Sequence, residues 1–134
     1  MILSLSSDIL SHLQQQARNG VPLEICGLLF GENQIVSGFK QARNIAQHAN
    51  RQFEIDPAAL IEAERAARDG GPAIVGYYHS HPRGDVQPSQ TDAASAAADE
   101  RIWLIINGRD ASAWRATENG EIFGRFNPIA LDCQ

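Results

Sequence analysis

Several features that would place this chain in a special class are scarce in its sequence. Only two cysteines, Cys26 and Cys133, occur among its 134 residues. Two are too few for a disulfide framework, so we expect reduced thiols in a cytoplasmic protein. No apolar run approaches the ~20 residues that a membrane helix requires. The first ten residues carry no basic segment, and we therefore expect neither a secretory signal peptide nor a membrane partner.

Positive charge is also in short supply. Eleven basic residues face sixteen acidic ones, which gives a net charge of −5. Binding to phosphates needs clustered lysine and arginine, so nucleic acid is not an expected partner. The hydrophobic fraction of 43% and the charged fraction of 20% are typical of a soluble globular protein. The length suits one domain, and since no linker or repeat divides the chain, we predict a single domain over residues 1–134.

The spacing of apolar residues and of turn residues predicts a mixed α/β fold. Crossover helices require parallel strand pairing and hairpins require antiparallel pairing, so we expect a mixed sheet with helices packed on it. The predicted order is a helix from Ser6–Ser7 to Gly20, strands at 25–31 and 34–40, a helix from Asp56-Pro57 to Gly70, a strand at 73–78, a helix at 90–99 and three closing strands from WLIIN, ASAWRAT and EIFGRFN.

The most informative stretch is His79-Ser80-His81-Pro82, which is followed by Asp92. If the preceding strand continues, His79 and His81 point to the same face because side chains alternate with a period of two. Asp92 falls in the first turn of the next helix, which folds back after a loop rich in proline and glycine. Two imidazoles and one carboxylate form a known ligand set for catalytic zinc and leave a fourth position for water. Iron and cobalt accept the same ligand types, so zinc is an inference.

A hydrolytic zinc site also needs a group that accepts the proton of the attacking water. Zinc lowers the pKa of a bound water to about 7, but the proton must still reach the leaving group. Glu24 is the candidate, because it precedes the apolar run ICGLLFG and a solvated face would not explain a carboxylate there. Partial burial would raise its pKa toward the range useful for a base that later acts as an acid.

Each of these residues also has a simpler explanation. A His-x-His pair on a strand is often polar core packing, and Glu24 could be a charge at a strand edge. Ser89-Gln90-Thr91-Asp92 fits the capping box of a helix N-terminus, which needs no catalytic role. One metal site explains all of these residues together, whereas the simpler explanations require three unrelated coincidences.

Three motifs together resemble the JAMM/MPN metallopeptidases. They are P-x-E-x-C-G-L-L-x-G at 22–31, HSHP at 79–82 and S-x-x-D at 89–92, and none of their positions is altered here. The resemblance covers nearly the whole chain. It implies the fold of that family, a three-layer α/β/α sandwich with a mixed sheet, similar to that of cytidine deaminases.

The resemblance also implies residue roles and a substrate class. His79, His81 and Asp92 would bind Zn²⁺, and Glu24 would deprotonate the zinc-bound water and then protonate the departing amine. Ser89 would help to stabilise the oxyanion. Members of the family cleave peptide or isopeptide bonds after the Gly-Gly tail of ubiquitin or ubiquitin-like proteins. Short prokaryotic-type versions resemble enzymes that process sulfur-carrier proteins, so such a carrier is the expected partner.

Other functions fit the sequence less well. A zinc deaminase would carry H-x-E and P-C-x-x-C motifs, and neither is present. A non-catalytic scaffold would be metal-free, and a cell-wall or phage-tail peptidase would usually bring a second domain. The sequence leaves the oligomeric state open.

A few further polar and aromatic residues stand near the motifs. Tyr77 shares its strand face with the histidines, but we expect a core aromatic. Arg83 and Asp85 lie on the loop after HSHP, where they could touch substrate. His48 lies in a polar loop and is not expected to be a ligand.

Overall fold

The computed structural model describes all 134 residues, which form seven strands and three helices. None of the helices combines the length and the hydropathy needed to cross a membrane. In chain order the elements are β1 (Ile2–Leu5), α1 (Ser7–Gly20), β2 (Cys26–Glu32), β3 (Ile35–Ala42), α2 (Pro57–Arg68), β4 (Ile74–Ser80), α3 (Gln90–Ser95), β5 (Ile102–Ile106), β6 (Ala111–Gly120) and β7 (Gly124–Cys133).

The first two helices begin where their capping residues predict. The hydroxyl oxygen of Ser6 accepts the backbone N–H of Ile9 at 3.1 Å and caps α1. The carboxylate of Asp56 accepts the N–H of Ala58 at 3.0 Å, with Pro57 in the first helical position of α2. These bonds satisfy backbone donors that have no partner inside the helix.

The strands form one mixed sheet that closes on itself in the order β1-β3-β2-β4-β5-β6-β7. The pairs β1–β3, β1–β7 and β4–β5 are parallel, and the remaining pairs are antiparallel. The predicted mixed sheet is therefore confirmed. The expected three-layer sandwich is not confirmed, because β1 pairs with both β3 and β7 and closes the sheet.

The structure differs most from the prediction in three places. β1 was not expected, since its four residues ILSL stand directly before a helix cap and their partners lie at the far end of the chain. α3 ends at Ser95 and not at residue 99, because Ala96 turns to an extended conformation and is buried near Trp103. The last turn lies at residues 121–123, directly after the predicted Asn119-Gly120, because β6 continues to Gly120 and β7 begins at Gly124.

The core is divided between the two faces of the sheet. One cluster of thirteen buried residues packs α1, through Leu13 and Ala17, against the sheet. A second cluster on the other face is built on the aromatic side chains of Trp103, Trp114 and Phe126. The strands that carry the motif residues, β2 and β4, lie next to each other in the middle of this packed framework.

Candidate metal centre

Antiparallel pairing of β2 with β4 brings Glu24 close to the histidines. Cys26 at the start of β2 lies opposite His79 near the end of β4. Next to this pair, the N–H of Ser80 donates to the carbonyl of Ile25 at 3.0 Å, and the N–H of Ile25 donates to the Ser80 hydroxyl at 2.9 Å. The residue adjacent to Ile25 is Glu24, so these two bonds fix its backbone beside the HSHP segment.

The side chains of His79, His81 and Asp92 converge on one point. His79 Nε2 lies 3.0 Å from Asp92 Oδ1, and His81 Nε2 lies 3.1 Å from Asp92 Oδ2. The two Nε2 atoms are 3.2 Å apart. All three ligand atoms fall within 4.8 Å of one another, so the group can hold a metal ion. The predicted common face of the two histidines is thus what the structure shows.

Neighbouring groups orient the two imidazole rings. His81 Nδ1 lies 2.8 Å from the backbone carbonyl of Asp85. Because a carbonyl only accepts, Nδ1 carries a proton in this bond, and Nε2 faces the centre, where its lone pair can bind a metal once Nε2 has lost its proton to the solvent. Phe53 stacks on the His79 ring with centroids 4.2 Å apart, and Trp103 meets the same ring edge-on at 5.4 Å. His79 is buried between these two aromatic side chains.

At neutral pH, His79 and Asp92 are in the protonation states that bind a metal: a neutral imidazole and an ionised carboxylate. Burial lowers the pKa of His79, against an opposing hydrogen bond to Asp92, so its imidazole is neutral. Burial raises the pKa of Asp92, but hydrogen bonds to His79, His81 and the Ser89 N–H outweigh it and hold the pKa well below its usual range. Burial lowers the pKa of His81, yet its bonds to Asp92 and to the Asp85 carbonyl outweigh it and raise the pKa.

Ser89 and Asp92 form the predicted capping box, which here coincides with the cluster. The Ser89 hydroxyl oxygen accepts the N–H of Asp92 at 2.9 Å, and Asp92 Oδ2 accepts the N–H of Ser89 at 3.0 Å. The carboxylate of Asp92 therefore takes part both in the capping box and in the candidate metal-binding group. The Ser89 hydroxyl acts only as an acceptor in these bonds, so its own proton remains available to a ligand.

Glu24 is a buried carboxylate that lacks a full set of partners. Glu24 is only 7% exposed, and its Oε1 atom has no hydrogen-bond partner. Burial raises its pKa from 4.5 to about 7, while His81 lowers and Asp92 raises it by charge interaction. A buried oxygen without a partner is costly, and a bound water or substrate group is what would satisfy it.

The cluster opens into a polar cleft of about 350 Å³. Glu24, His81 and Ser89 line it together with the loop that follows Pro82. Chemically, the arrangement provides nitrogen and oxygen ligands for a cation, a carboxylate with a pKa near neutrality and a hydroxyl donor at one solvent-accessible point.

The other residues that the sequence singled out lie outside the cluster. The Tyr77 hydroxyl accepts a hydrogen bond of 2.6 Å from Arg101, and the ring packs beside Trp103, as expected for a core aromatic. His48 is not part of the metal-binding group. Arg83 and Asp85 line the cleft, and their contact with substrate stays a prediction.

Two supporting residues escaped the sequence analysis. Phe53 stacks on His79, although it lies in an irregular segment between the predicted elements. Asn44 lies in the same segment, and its side chain contacts the backbone of Glu24. The alternation of Phe53 with Ile55 was the one available signal, and it predicts burial without indicating what the ring touches.

A mixed α/β fold with this His-His-Asp cluster defines a JAB-type domain. The family of prokaryotic homologs of the JAB domain matches residues 6–118, and the chain belongs to that family. Among solved structures, a JAB1/MPN domain protein from Archaeoglobus fulgidus has a TM-score of 0.57 at 15% identity, with 96% of each chain covered. A protein from Desulfitobacterium hafniense has a TM-score of 0.83 at 23% identity, covering 100% of this chain and 93% of its own.

Two curated relatives extend over most of the sequence. The desampylase of Haloferax volcanii is 34% identical over 129 residues, which cover 90% of this chain and 93% of the relative. The CysO-cysteine peptidase of Mycobacterium tuberculosis is 26% identical over 113 residues, which cover 81% of this chain and 75% of the relative.

Proposed function

We propose that the protein is a zinc-dependent metallopeptidase that hydrolyses peptide or isopeptide bonds after the C-terminal Gly-Gly of a ubiquitin-like or sulfur-carrier protein. The observation that carries this proposal is the convergence of His79, His81 and Asp92 next to the buried, incompletely bonded carboxylate of Glu24. The names of the two relatives, a desampylase and a CysO-cysteine peptidase, support the substrate class. A single domain over 1–134, a cytoplasmic location and a fold related to cytidine deaminases belong to the same proposal.

The donor set fits zinc. His79 and His81 would supply two imidazole nitrogens and Asp92 a carboxylate oxygen, which are ligand types that zinc accepts in catalytic sites. When bound, the ion would act as a Lewis acid that acidifies a water molecule and polarises the scissile carbonyl. The Asp85 carbonyl and the Phe53 ring would keep the two imidazoles in their binding orientation.

Glu24 would transfer the proton. Its carboxylate would accept a proton from the attacking water and deliver it to the nitrogen of the departing amine. A pKa of about 7 suits both steps, because the group is then ionised often enough to accept a proton and acidic enough to release it. Burial, the main cause of this pKa, is therefore the structural basis of the proposed role.

Ser89 would stabilise the negative charge that develops on the carbonyl oxygen. Its hydroxyl proton is not used in the capping box, and the residue lines the cleft with Glu24 and His81. A donor of this kind contributes about 3–4 kcal/mol to transition-state stabilisation. Ser89→Ala should therefore lower kcat by roughly a hundredfold or more, while Asp92 keeps its place in the helix.

The test uses the full chain, loaded with zinc, and a ubiquitin-like carrier extended beyond its Gly-Gly by a reporter. We expect cleavage after Gly-Gly, its loss with a chelator, and its return when zinc is added back. Glu24→Gln should keep its metal content and lose about 10²–10⁴-fold in kcat. Glu118→Gln makes the same chemical change at an exposed position of β6 and serves as the matched control.

Two outcomes would contradict the proposal. Cleavage by Glu24→Gln at the wild-type rate would show that another group moves the proton. A folded protein that retains no zinc after purification and addition of the metal, and that cleaves no Gly-Gly fusion, would instead favour a non-catalytic scaffold. A cell-wall peptide tested in parallel would reveal the activity expected of the cell-wall alternative.

A further inference from the structure

We propose that the site prefers a leaving group with a carboxylate next to the scissile amide, namely an α-amino acid joined through its α-nitrogen, and that Arg51 and Arg83 bind this carboxylate. The inference rests on the proposed function and deepens it by naming what is released. It concerns the leaving-group side of the bond only.

Both arginines line the cleft that contains Glu24 and His81. Arg83 follows His81 by two residues along the chain. Arg51 belongs to the loop whose Ala49 carbonyl accepts the backbone N–H of Glu24 at 2.7 Å. Each guanidinium is therefore attached close to one of the groups that would act on the scissile bond.

Neither guanidinium has a partner within the protein. Arg51 and Arg83 form no ion pair and no side-chain hydrogen bond, whereas Arg101 is held by Glu64 at 2.9 Å and by the Tyr77 hydroxyl. They are the only arginines in the lining of a cleft that belongs to a chain of net charge −5. A free guanidinium offers a fork of N–H donors that matches a carboxylate.

The acidic residues of the cleft do not pair with the two arginines. Glu24 and Asp85 also line it, but Asp85 Oδ1 already accepts the backbone N–H of Gln87 at 3.1 Å. Glu24 is the buried carboxylate at the reacting centre. The two arginines therefore remain available to an anionic group brought by the substrate.

The two possible leaving groups, an α-amino acid and a lysine side chain, differ in the group that stands next to the scissile nitrogen. In both, water adds to the carbonyl carbon, the C–N bond breaks, the carrier gains a carboxylate and the proton passes to the nitrogen. A released α-amino acid has its own carboxylate two bonds from that nitrogen, within reach of a cation. A released lysine side chain has an uncharged four-carbon stem there, and this stem brings no anionic group to the two arginines.

The experiment compares three substrates on one carrier: Gly-Gly-Ala with a free carboxylate, the same sequence as a C-terminal amide, and Gly-Gly joined to a lysine ε-nitrogen. We expect kcat/KM for the free carboxylate to exceed that for the amide by at least about tenfold, as suits one charge-assisted hydrogen-bonded pair. In the double variant Arg51→Gln/Arg83→Gln this ratio should fall to near one, and Arg83→Lys should keep part of it.

Arg68→Gln is the matched control, because this exposed arginine ends α2 and does not line the cleft. It should leave the ratio of the free carboxylate to the amide as in the wild type. A fall as large as that in the double variant would show a general effect of charge and overturn the assignment to Arg51 and Arg83.

The outcomes separate this inference from the proposed function. Equal wild-type rates on the acid and the amide, or a preference for the lysine-linked substrate, would overturn the inference and leave a peptidase. Failure to cleave any of the three would overturn the proposed function. The carboxylate site can then still be tested by titrating Glu24→Gln protein with Gly-Gly-Ala and its amide, where equal Kd values would overturn it.

Discussion

The side-chain amide of Asn44 donates a hydrogen bond of 2.9 Å to the backbone carbonyl of Glu24. The same nitrogen donates to the carbonyl of Gln52 at 3.1 Å, and the amide oxygen accepts the N–H groups of Ala46 and Glu54. Asn44 thus uses both faces of its amide to tie the loop that follows β3 to the residue that carries the proposed base. It acts through the backbone and is a positioning residue.

Asn44→Asp should therefore reduce catalysis without removing the metal. The change keeps the shape but replaces two donors with an oxygen that faces the carbonyls of Glu24 and Gln52. We expect kcat to fall by about tenfold or more, with KM and zinc content nearly unchanged, and the free energy of unfolding to decrease by about 1–3 kcal/mol. Steady-state kinetics with metal analysis checks this. A loss of kcat no greater than in Asn19→Asp, at the exposed end of α1, would contradict it.

Glu24→Gln should stabilise the metal-free protein at alkaline pH. The folded-state pKa of Glu24 is raised from 4.5 to about 7, so the folded state binds this proton more tightly than the unfolded state. Stability is then fully present below pH 4.5, falls as the pH rises to 7, and stays reduced above it. Removing the charge should add about 2 kcal/mol at pH 8, allowing for partial solvent screening, and almost nothing at pH 4.

Urea unfolding in the presence of a chelator, at both pH values, measures this difference. Glu118→Gln should show no comparable pH dependence. An equal effect of Glu24→Gln at pH 4 and pH 8 would mean that burial does not disfavour the carboxylate.

Replacing Phe53 should weaken metal binding. Its ring stacks on His79 at 4.2 Å, and Leu in its place would let the imidazole rotate. We expect Phe53→Leu to lower zinc affinity by about tenfold, as is typical for groups that orient a ligand, and Phe53→Tyr to retain it. Competition with a chromophoric chelator measures the affinity. Identical affinities for the leucine variant and the wild type would contradict the role of the stack.

The two thiols should react at very different rates. Burial, with a contribution from Glu24, raises the pKa of Cys26 to about 12, and the side chain is inaccessible. Cys133 is exposed. An aromatic disulfide reagent should therefore label one thiol per native chain quickly and the second only after denaturation. Native Cys133→Ser should show no fast phase; fast labelling of this variant would show that β2 opens readily.

The local part of the site could be predicted from sequence, and the part that depends on distant contacts could not. The strand period places His79 and His81 on one face, and the spacing to Asp92 identifies the next helix. Asn44 gave no such signal, because its partners are backbone groups brought together by the loop. β1 was missed for a related reason: a run of four residues becomes a strand through pairing with distant residues, Ile35 of β3 and residues 130–133 of β7.

One consequence follows from the double use of Asp92. A six-residue helix such as α3 is too short to persist on its own. In the proposed centre the carboxylate of Asp92 would also be a ligand, so a bound cation would share this carboxylate with the Ser89 amide. Binding of the ion would then stabilise the folded form of α3, because the two equilibria are linked. Backbone amides at the start of α3 should exchange with deuterium more slowly as the fraction of protein with a bound ion increases.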